Sequence, residues 1–497
     1  MLNHLGDRLK KICSLTLTCA LASCQVGTDY AKPKVKTEAH WHHQETADAS
    51  EGQARLWDRF NDPQLTALIR EATLHNKSIQ RSAERVKQYE AFLGIAQSDL
   101  YPQVDLSAKG EGLQVAAVPP LKESIEHSSQ WRLKGGFNLS YEIDFWRRVH
   151  NQEASALALL LSQHAAQKTL LLSIETAVAQ RYLTLRALDA ALLIAEENAD
   201  LHQKQLHLAQ QRLYRGFTSA LEAEDAKTQL KTAQQEVADL KQQIAIEEHA
   251  LCALLGRNPG PIKRGKPLVH INLPAVQVGT LPSRLLKQRP DIEQAEQVLS
   301  SKHADVNVAE AAFFPRIDLL AFLGGESMKS GALLGQSAMV GSVGAGLTAP
   351  LFQGGRIRQQ LAAAKAEHRE ALIAYLEAVQ TAFQETEDAL VGSHKKMLTY
   401  QYQTHIQTTQ ETAYHLQQAR FQEGLTSRFD LLEAKKILLQ VQQQSLQVRL
   451  QAFLEQLKLY KALGGCWTKK AKPLAPQPKN ATKTELKSAR CVTQPQS

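Results

Sequence analysis

Leu100-Tyr101-Pro102-Gln103-Val104-Asp105-Leu106 returns 213 residues later in this chain as Phe313-Phe314-Pro315-Arg316-Ile317-Asp318-Leu319. A second pair of segments, RLYRGFTS at 212–219 and RFQEGLTS at 420–427, is 208 residues apart. The two pairs keep their order and nearly the same spacing. The chain therefore contains two structural repeats of about 210 residues each.

Each copy of the first motif opens a segment in which apolar and polar residues alternate. Between 102 and 112 the even positions are apolar or small, and between 131 and 145 the odd positions are. The second repeat shows the same alternation at 317–323 and at 339–351. A period of two predicts β-strands, four in all, each with one apolar face.

A four-stranded sheet of this kind leaves one apolar face and two edges uncovered. A transmembrane barrel solves both problems, because lipid covers the apolar face and closure pairs the edges. Four strands cannot close a barrel, whereas three copies of the chain would supply twelve. The alternative is a soluble four-stranded sheet covered by the chain's own helices.

The segments between the predicted strands indicate very long helices. Residues 147–214 contain no proline or glycine and place an apolar residue at every seventh position from Leu171 to Leu213, which is a coiled-coil pattern. At 1.5 Å per residue such a helix spans about 100 Å. Residues 356–422 repeat the design. Shorter helices at about 218–255 and 427–463 reach that length only if the helices at about 64–99 and 283–312 stack on their ends.

The first 24 residues have the composition of a bacterial export signal. Basic residues are followed by the apolar run 12–21 and by Leu21-Ala22-Ser23-Cys24, which resembles a lipobox. Cleavage would leave Cys24 as an acylated N-terminus and would remove Cys13 and Cys19. The alternative is a plain signal peptide with a chance cysteine. Cys252 is predicted to lie in the core. The sequence does not decide whether Cys466 and Cys491 form a disulfide.

The net charge of +8 at first suggests a nucleic-acid binder. Residues 1–23 carry +2 and residues 467–497 carry +6, so the body of the chain is neutral. We therefore expect no nucleic-acid partner. The Lys- and Pro-rich tail is too polar to fold alone, and we expect it to lie against anionic cell-wall or lipid material.

Five segments, taken in this order, resemble the TolC/OprM family of outer-membrane efflux channels, in particular its lipoprotein branch. They are Cys24 to Tyr30 with Pro33, Phe60 to Leu65, Tyr141 to Val149, Leu281 to Ile292, and Pro350 to Ile357. Thr28 stands where the family has Pro, and Trp146 stands where a small or polar residue is usual.

The resemblance implies a mainly α-helical homotrimer with a twelve-stranded transmembrane β-barrel, four strands per chain, above a long α-helical barrel in the periplasm. It implies the outer membrane of a Gram-negative bacterium, lipid anchoring and a large periplasmic part. The partners implied are a periplasmic adaptor, an inner-membrane pump of the RND type and outer-membrane lipid. The function implied is the exit duct of a tripartite efflux system for drugs or other small toxic compounds.

The predicted domain organisation follows the repeats. Residues 1–23 form the signal peptide and 24–61 a lipid-anchored extended segment. The first repeat is 62–255, with a β-hairpin at 101–146 and a helical hairpin at 147–255. An equatorial linker, 256–282, leads to the second repeat, 283–465, with its β-hairpin at 314–355 and helical hairpin at 356–464. Residues 466–497 form the basic tail.

The resemblance places the site residues at the ends of the helical hairpins. Asp430 and Glu433 lie three residues apart on one helix face and would form acidic rings that narrow the tunnel, with some raised pKa values. Glu222 and Asp225 occupy the equivalent positions, and Arg428 could pair with Glu222 of a neighbouring helix. The adaptor-docking turns would contain Gly216, Thr218, Ser219, Gly424, Thr426 and Ser427.

No catalytic residues, cofactor or resident metal are predicted, apart from the covalent lipid on Cys24. His40, His42 and His43 surround Trp41, but no cysteine or carboxylate completes a metal site, and this segment is expected to wrap around the equator. The alternatives in the same fold are the outer-membrane component of a type I protein secretion system or of a metal-ion efflux system. A periplasmic adaptor lipoprotein is a remote alternative.

Overall fold

The computed structural model describes residues 26–36, 41, 56–114, 129–273, 282–327, 335 and 338–465. The expectations for the signal peptide, for Cys24, for the tail 466–497 and for a Cys466–Cys491 pair lie outside the described residues.

Nine α-helices and four β-strands make up the described part of the chain. The helices are α1 Leu56–Arg59, α2 Pro63–His75, α3 Lys77–Ser98, α4 Arg148–Tyr214, α5 Ala220–Leu255, α6 Pro282–Gln288, α7 Pro290–Ala311, α8 Arg356–Gln422 and α9 Arg428–Ala462. The strands are β1 Gln103–Gln114, β2 Ser129–Ile143, β3 Arg316–Ser327 and β4 Met339–Thr348.

The long helices α4 and α8 have 67 residues each, as the seven-residue spacing predicts. Each shorter helix packs along part of a long one: α5 and α3 lie along α4, and α9 and α7 lie between α4 and α8. The result is a wall of four helical rods that lie side by side. Two rods are the single helices α4 and α8, and the other two are the stacked pairs α5 with α3 and α9 with α7. At 1.5 Å per residue, the continuous rods are about 100 Å long.

Asn76 joins α5 end to end with α3. Its Oδ1 accepts hydrogen bonds from the N–H groups of Ser78 and Ile79 at 2.9 and 3.2 Å, which caps α3, and its Nδ2 donates to the carbonyl oxygen of Leu254 at 2.7 Å. Gly256, in a left-handed conformation, lies so close that a Cβ there would meet the carbonyl oxygen of His75 at 2.2 Å. The predicted stacking of the shorter helices is confirmed at this joint.

Arg289 makes the equivalent joint between α9 and α7 with different chemistry. Its Nη1 donates to the carbonyl oxygen of Ala462 at 3.1 Å, and its Nη2 lies 2.6 Å from both Asp291 and Glu385. The hydrophobic cores lie around these joints, one containing Trp57, Phe60 and Tyr182 and the other containing Tyr375. The cores therefore fix the middle of the wall.

The four strands form one antiparallel sheet in the order β1-β2-β3-β4, each strand continuing one rod. The register places Leu139 beside Val104 and Ala321, and Ala321 beside Val343. Apart from those of Leu320, Phe322 and Val340, which lie on the opposite face, the described apolar side chains of the four strands therefore share one face, as the alternation predicts. The apolar side chains on this face are exposed, so the chain's own helices do not cover it.

The two passages from strand to helix differ in strain. At the second passage Gly355 takes a left-handed φ of 86°, whereas Arg147 takes a φ of 60° at the first. Trp146, the departure from the family pattern, donates from Nε1 to the carbonyl oxygen of Pro315 at 2.7 Å and ties the two repeats together. Strand β4 was expected to run to 351 but ends at Thr348, ahead of Pro350, which has no N–H for the ladder.

The described helices are polar enough that none has both the length and the apolar character needed to cross a membrane.

We predict that Asn76→Ala lowers the free energy of unfolding by about 2 kcal/mol, because a helix cap is lost and the partly buried carbonyl oxygen of Leu254 loses its donor. Asn76→Asp is the matched variant: it keeps the cap but not the donor to Leu254. Its free energy of unfolding should lie between those of the parent and Asn76→Ala. Thermal or denaturant unfolding of the purified protein measures both. Equal stability of Asn76→Ala and the parent would show that the joint contributes nothing.

Candidate functional site

The two helical hairpins turn at glycine residues, as expected. Gly216 and Gly424 take φ values of 76° and 72°, which favour glycine. The N–H group of the residue after each glycine donates across the helix end at 2.8 Å, Phe217 to Arg212 and Leu425 to Arg420. Both turns are therefore Schellman motifs, which end one helix and start the next within a few residues.

The second turn is closed by a capping box at the start of α9. Asp430 accepts a hydrogen bond from the Ser427 N–H at 3.0 Å, and the Asp430 N–H donates to Ser427 Oγ at 3.2 Å. The Ser427 hydroxyl, which donates to Asp430 Oδ2 at 2.7 Å, and the Ser427 N–H stabilise the carboxylate and hold the pKa of Asp430 below its usual range. The cap is present above the ordinary aspartate pKa and is lost only as the pH falls through the lowered value.

The first turn uses the equivalent residues differently. Glu222 occupies the position of Asp430, but it accepts a hydrogen bond from Arg212 Nη1 at 3.3 Å across the hairpin. Ser219, the equivalent of Ser427, makes no side-chain cap bond. Within one chain Glu222 is thus paired with Arg212, and pairing with Arg428 across neighbouring helices stays a prediction. Asp225 and Arg428 are exposed.

Glu433 is half-buried where α9 meets α4. It lies 3.4 Å from Lys436, while Lys435 pairs with Glu197 of α4 at 2.7 Å. Burial lowers the pKa of the neighbouring His202, which therefore stays neutral near pH 7. Asp430 and Glu433 therefore differ: one is exposed at the turn, and the other is held in the wall.

Exposed apolar side chains at the turns were not predicted as site residues. Tyr214 is 93% exposed, Phe217 72% and Leu425 69%, with Leu221 and Phe429 beside them. Large apolar side chains next to a turn glycine are a signal that the sequence already contains, because such turns are ordinarily polar. An exposed apolar patch of this kind indicates a protein-binding surface.

The sheet carries a second exposed apolar surface. Val343 is 90% exposed, and the same face presents Val104, Leu106, Phe137, Leu323 and Leu347. The opposite face carries the charged side chains of the strands. A sheet with one apolar and one polar face has the alternation of a membrane barrel wall.

In the part of the chain that the structure describes, no three histidine, cysteine, aspartate or glutamate residues are arranged to hold a metal ion. Cys252 is buried, as predicted, and donates to the carbonyl oxygen of Gly260. Of the segment 40–43 only Trp41 is described; it is buried and packs edge to face on Phe383.

A wall of rods about 100 Å long, ending in a two-faced sheet at one end and in glycine turns at the other, defines a channel subunit. The family described as outer membrane efflux protein matches residues 68–257 and 281–465. The chain belongs to that family.

Relatives of known role match this chain over most of its length. The toluene efflux pump outer membrane protein TtgC of Pseudomonas putida is 28% identical over 92% of this chain and 96% of its own. The pyoverdine export outer membrane protein OpmQ of Pseudomonas aeruginosa is 30% identical over 84% of this chain and 89% of its own.

Solved structures give the same result. The outer-membrane channel OprN superimposes with a TM-score of 0.80 at 25% identity, covering 89% of this chain and 99% of its own. The CmeC outer membrane channel of Campylobacter jejuni, at 23% identity, shares the fold with a TM-score of 0.82, over 90% of this chain and 96% of its own. The protein is the outer-membrane channel component of an efflux system.

We predict that Ser427→Ala loosens the first turn of α9 by about 1 kcal/mol, the usual value of an N-cap. Amide hydrogen exchange of that turn should become about fivefold faster, measured by mass spectrometry. Ser219→Ala is the matched control, because Ser219 makes no cap bond. Similar changes at both turns would contradict the asymmetry.

Proposed function

We propose that the protein is a lipid-anchored homotrimer that serves as the passive exit duct of a tripartite efflux system. Cys24 carries the lipid, and the β part lies in the outer membrane of a Gram-negative bacterium. The glycine turns dock on a periplasmic adaptor that links the duct to an inner-membrane pump of the RND type. The duct itself catalyses no reaction.

The single observation that carries this proposal is the uncovered sheet. Its apolar face is exposed, and β1 and β4 are its edges. Edge strands and a lipid-like face on one small sheet are stable only when copies pair edge to edge and lipid covers the outside. Three chains supply twelve strands, and the four rods of each chain, which continue those strands, would then supply twelve rods around one tunnel.

The turns support the docking role. Phe217 and Leu425 project from rigid Schellman turns, so an adaptor would meet apolar side chains already held in place. Preformed apolar anchors reduce the entropic cost of binding. Adaptor contact at these turns would splay the helices and open the tunnel.

The acidic residues support a constriction at the same end. Asp430 of three chains would place three exposed carboxylates close together, and Glu433, partly neutralised by Lys436, would lie behind them. A ring of carboxylates attracts cations and narrows a pore.

The names of the relatives support one class of cargo. Proteins similar to this chain are named for export of toluene, of antibiotics and of pyoverdine. We therefore propose small organic compounds, drugs among them, as the exported class, in preference to proteins or metal ions.

We predict that Val343→Arg greatly reduces the trimer recovered from outer-membrane fractions, because an arginine facing the middle of the bilayer costs about 2–4 kcal/mol. Gly344→Arg is the matched control: its side chain would point to the polar face, where a Cβ meets open space. A soluble monomer, or an equal loss of trimer in both variants, would contradict the proposed orientation of the sheet.

The intact mass of the purified parent protein should include acyl chains on Cys24.

We predict that Asp430→Ala combined with Glu433→Ala increases single-channel conductance in planar bilayers and lowers cation preference, because the ring loses its carboxylates. Glu84→Ala combined with Glu90→Ala, on α3 and away from the turns, removes the same charge as a control. Unchanged conductance and ion selectivity in the first variant would exclude the constriction.

A further inference from the structure

The polar face of the sheet changes character along its length. In the half next to the helices, Asp105, Glu142 and Asp318 outnumber Arg316. In the half away from the helices the described charges reverse, and three cations face two carboxylates. These are Lys109, Arg132, Lys134, Glu111 and Glu326.

A glycine pair in the middle of this sheet brings an aromatic ring onto the polar face. Gly136 and Gly324 lie directly opposite each other, and a Cβ on Gly136 would come within 2.5 Å of the Gly324 Cα. The Phe322 ring lies over this gap, because a Cβ on Gly324 would meet its Cζ at 2.7 Å. Phe322 is only 8% exposed, although the residues directly paired with it on the neighbouring strands, Asn138 and Ser342, are polar.

Lys134 sits on that ring, with Nζ 4.3 Å from the centroid. Arg132 is held by Glu326 at 3.4 Å, and Lys109 pairs with Glu111. Lys134 therefore shares this half with carboxylates already engaged by the other two cations. An ammonium group that contacts a ring through one side keeps N–H donors for another ligand.

We propose that Lys134, seated on Phe322, forms with its two copies a positively charged band that binds anionic organic cargo in the half of the barrel away from the helices. The inference rests on the proposed trimer, in which the polar face lines the pore. Each chain then adds a net single positive charge from the described strands of this half. The acidic turns attract cations at one end of the duct, and this band attracts anions at the other.

The ring gives the band its geometry. A lysine on a flexible four-carbon stem costs conformational entropy when an anion fixes it. Stacking on Phe322 holds the ammonium at one height in the pore before the cargo arrives. The glycine pair leaves room for the ring against the sheet. Two residues of β2, Lys134 and Gly136, and two of β3, Phe322 and Gly324, therefore form this binding site together.

The test uses full-length trimers in planar bilayers under a potassium chloride gradient. The background carries Asp430→Ala and Glu433→Ala, so that the acidic turns do not dominate the measurement. Lys134→Gln should raise the potassium-to-chloride permeability ratio by about twofold or more, because lining charges shift the potential in a pore by a few kT. Lys134→Glu should raise it further, and Lys134→Arg should keep the parent value.

A second variant tests the ring. Phe322→Leu still covers the glycine pair but removes the ring face, and it should give a ratio between the parent and Lys134→Gln. An unchanged ratio in Lys134→Gln channels would overturn the band, and a parent-like ratio in Phe322→Leu would overturn the role of the ring. If the parent itself forms no trimeric pore, the proposed function fails, which is a different result from a pore that ignores Lys134.

Discussion

A helix of 67 residues can be buried along its length only by a partner as long as itself, and this requirement governs the rest of the structure. The chain meets it by stacking short helices end to end at Asn76 and Arg289. The hydrophobic cores gather around these two joints. The sheet and the turns are thereby held at opposite ends of one wall, so the two exposed apolar surfaces are far apart.

The two repeats share a backbone fold, but different side-chain contacts stabilise it. An asparagine cap makes one joint and an arginine with two carboxylates makes the other. One turn is closed by a capping box and the other by an ion pair across the hairpin. The two hairpins of one chain therefore share their glycine turns but are stabilised by different side-chain contacts.

Much of this architecture follows from the sequence, since periods of two and seven identify which face of each element is apolar. The repeated motifs also locate Asp430 and Glu433 near a glycine turn. The sequence does not reveal that Asp430 caps its own helix while Glu433 is held beside Lys436, because both depend on side-chain geometry. Likewise, the contact of Lys134 with Phe322 depends on strand register and on two facing glycines, which no local pattern encodes.

The joint at Asn76 has a structural consequence. Hydrogen bonds from one side chain link α5 to α3, whereas α4 beside them runs through the same level as an unbroken ladder. The break in the backbone hydrogen-bond ladder at this level is therefore bridged by side-chain hydrogen bonds and by the hydrophobic core packed around it, whereas α4 keeps its backbone ladder. At this one level, packed side chains do what backbone hydrogen bonds do along the rest of the rod.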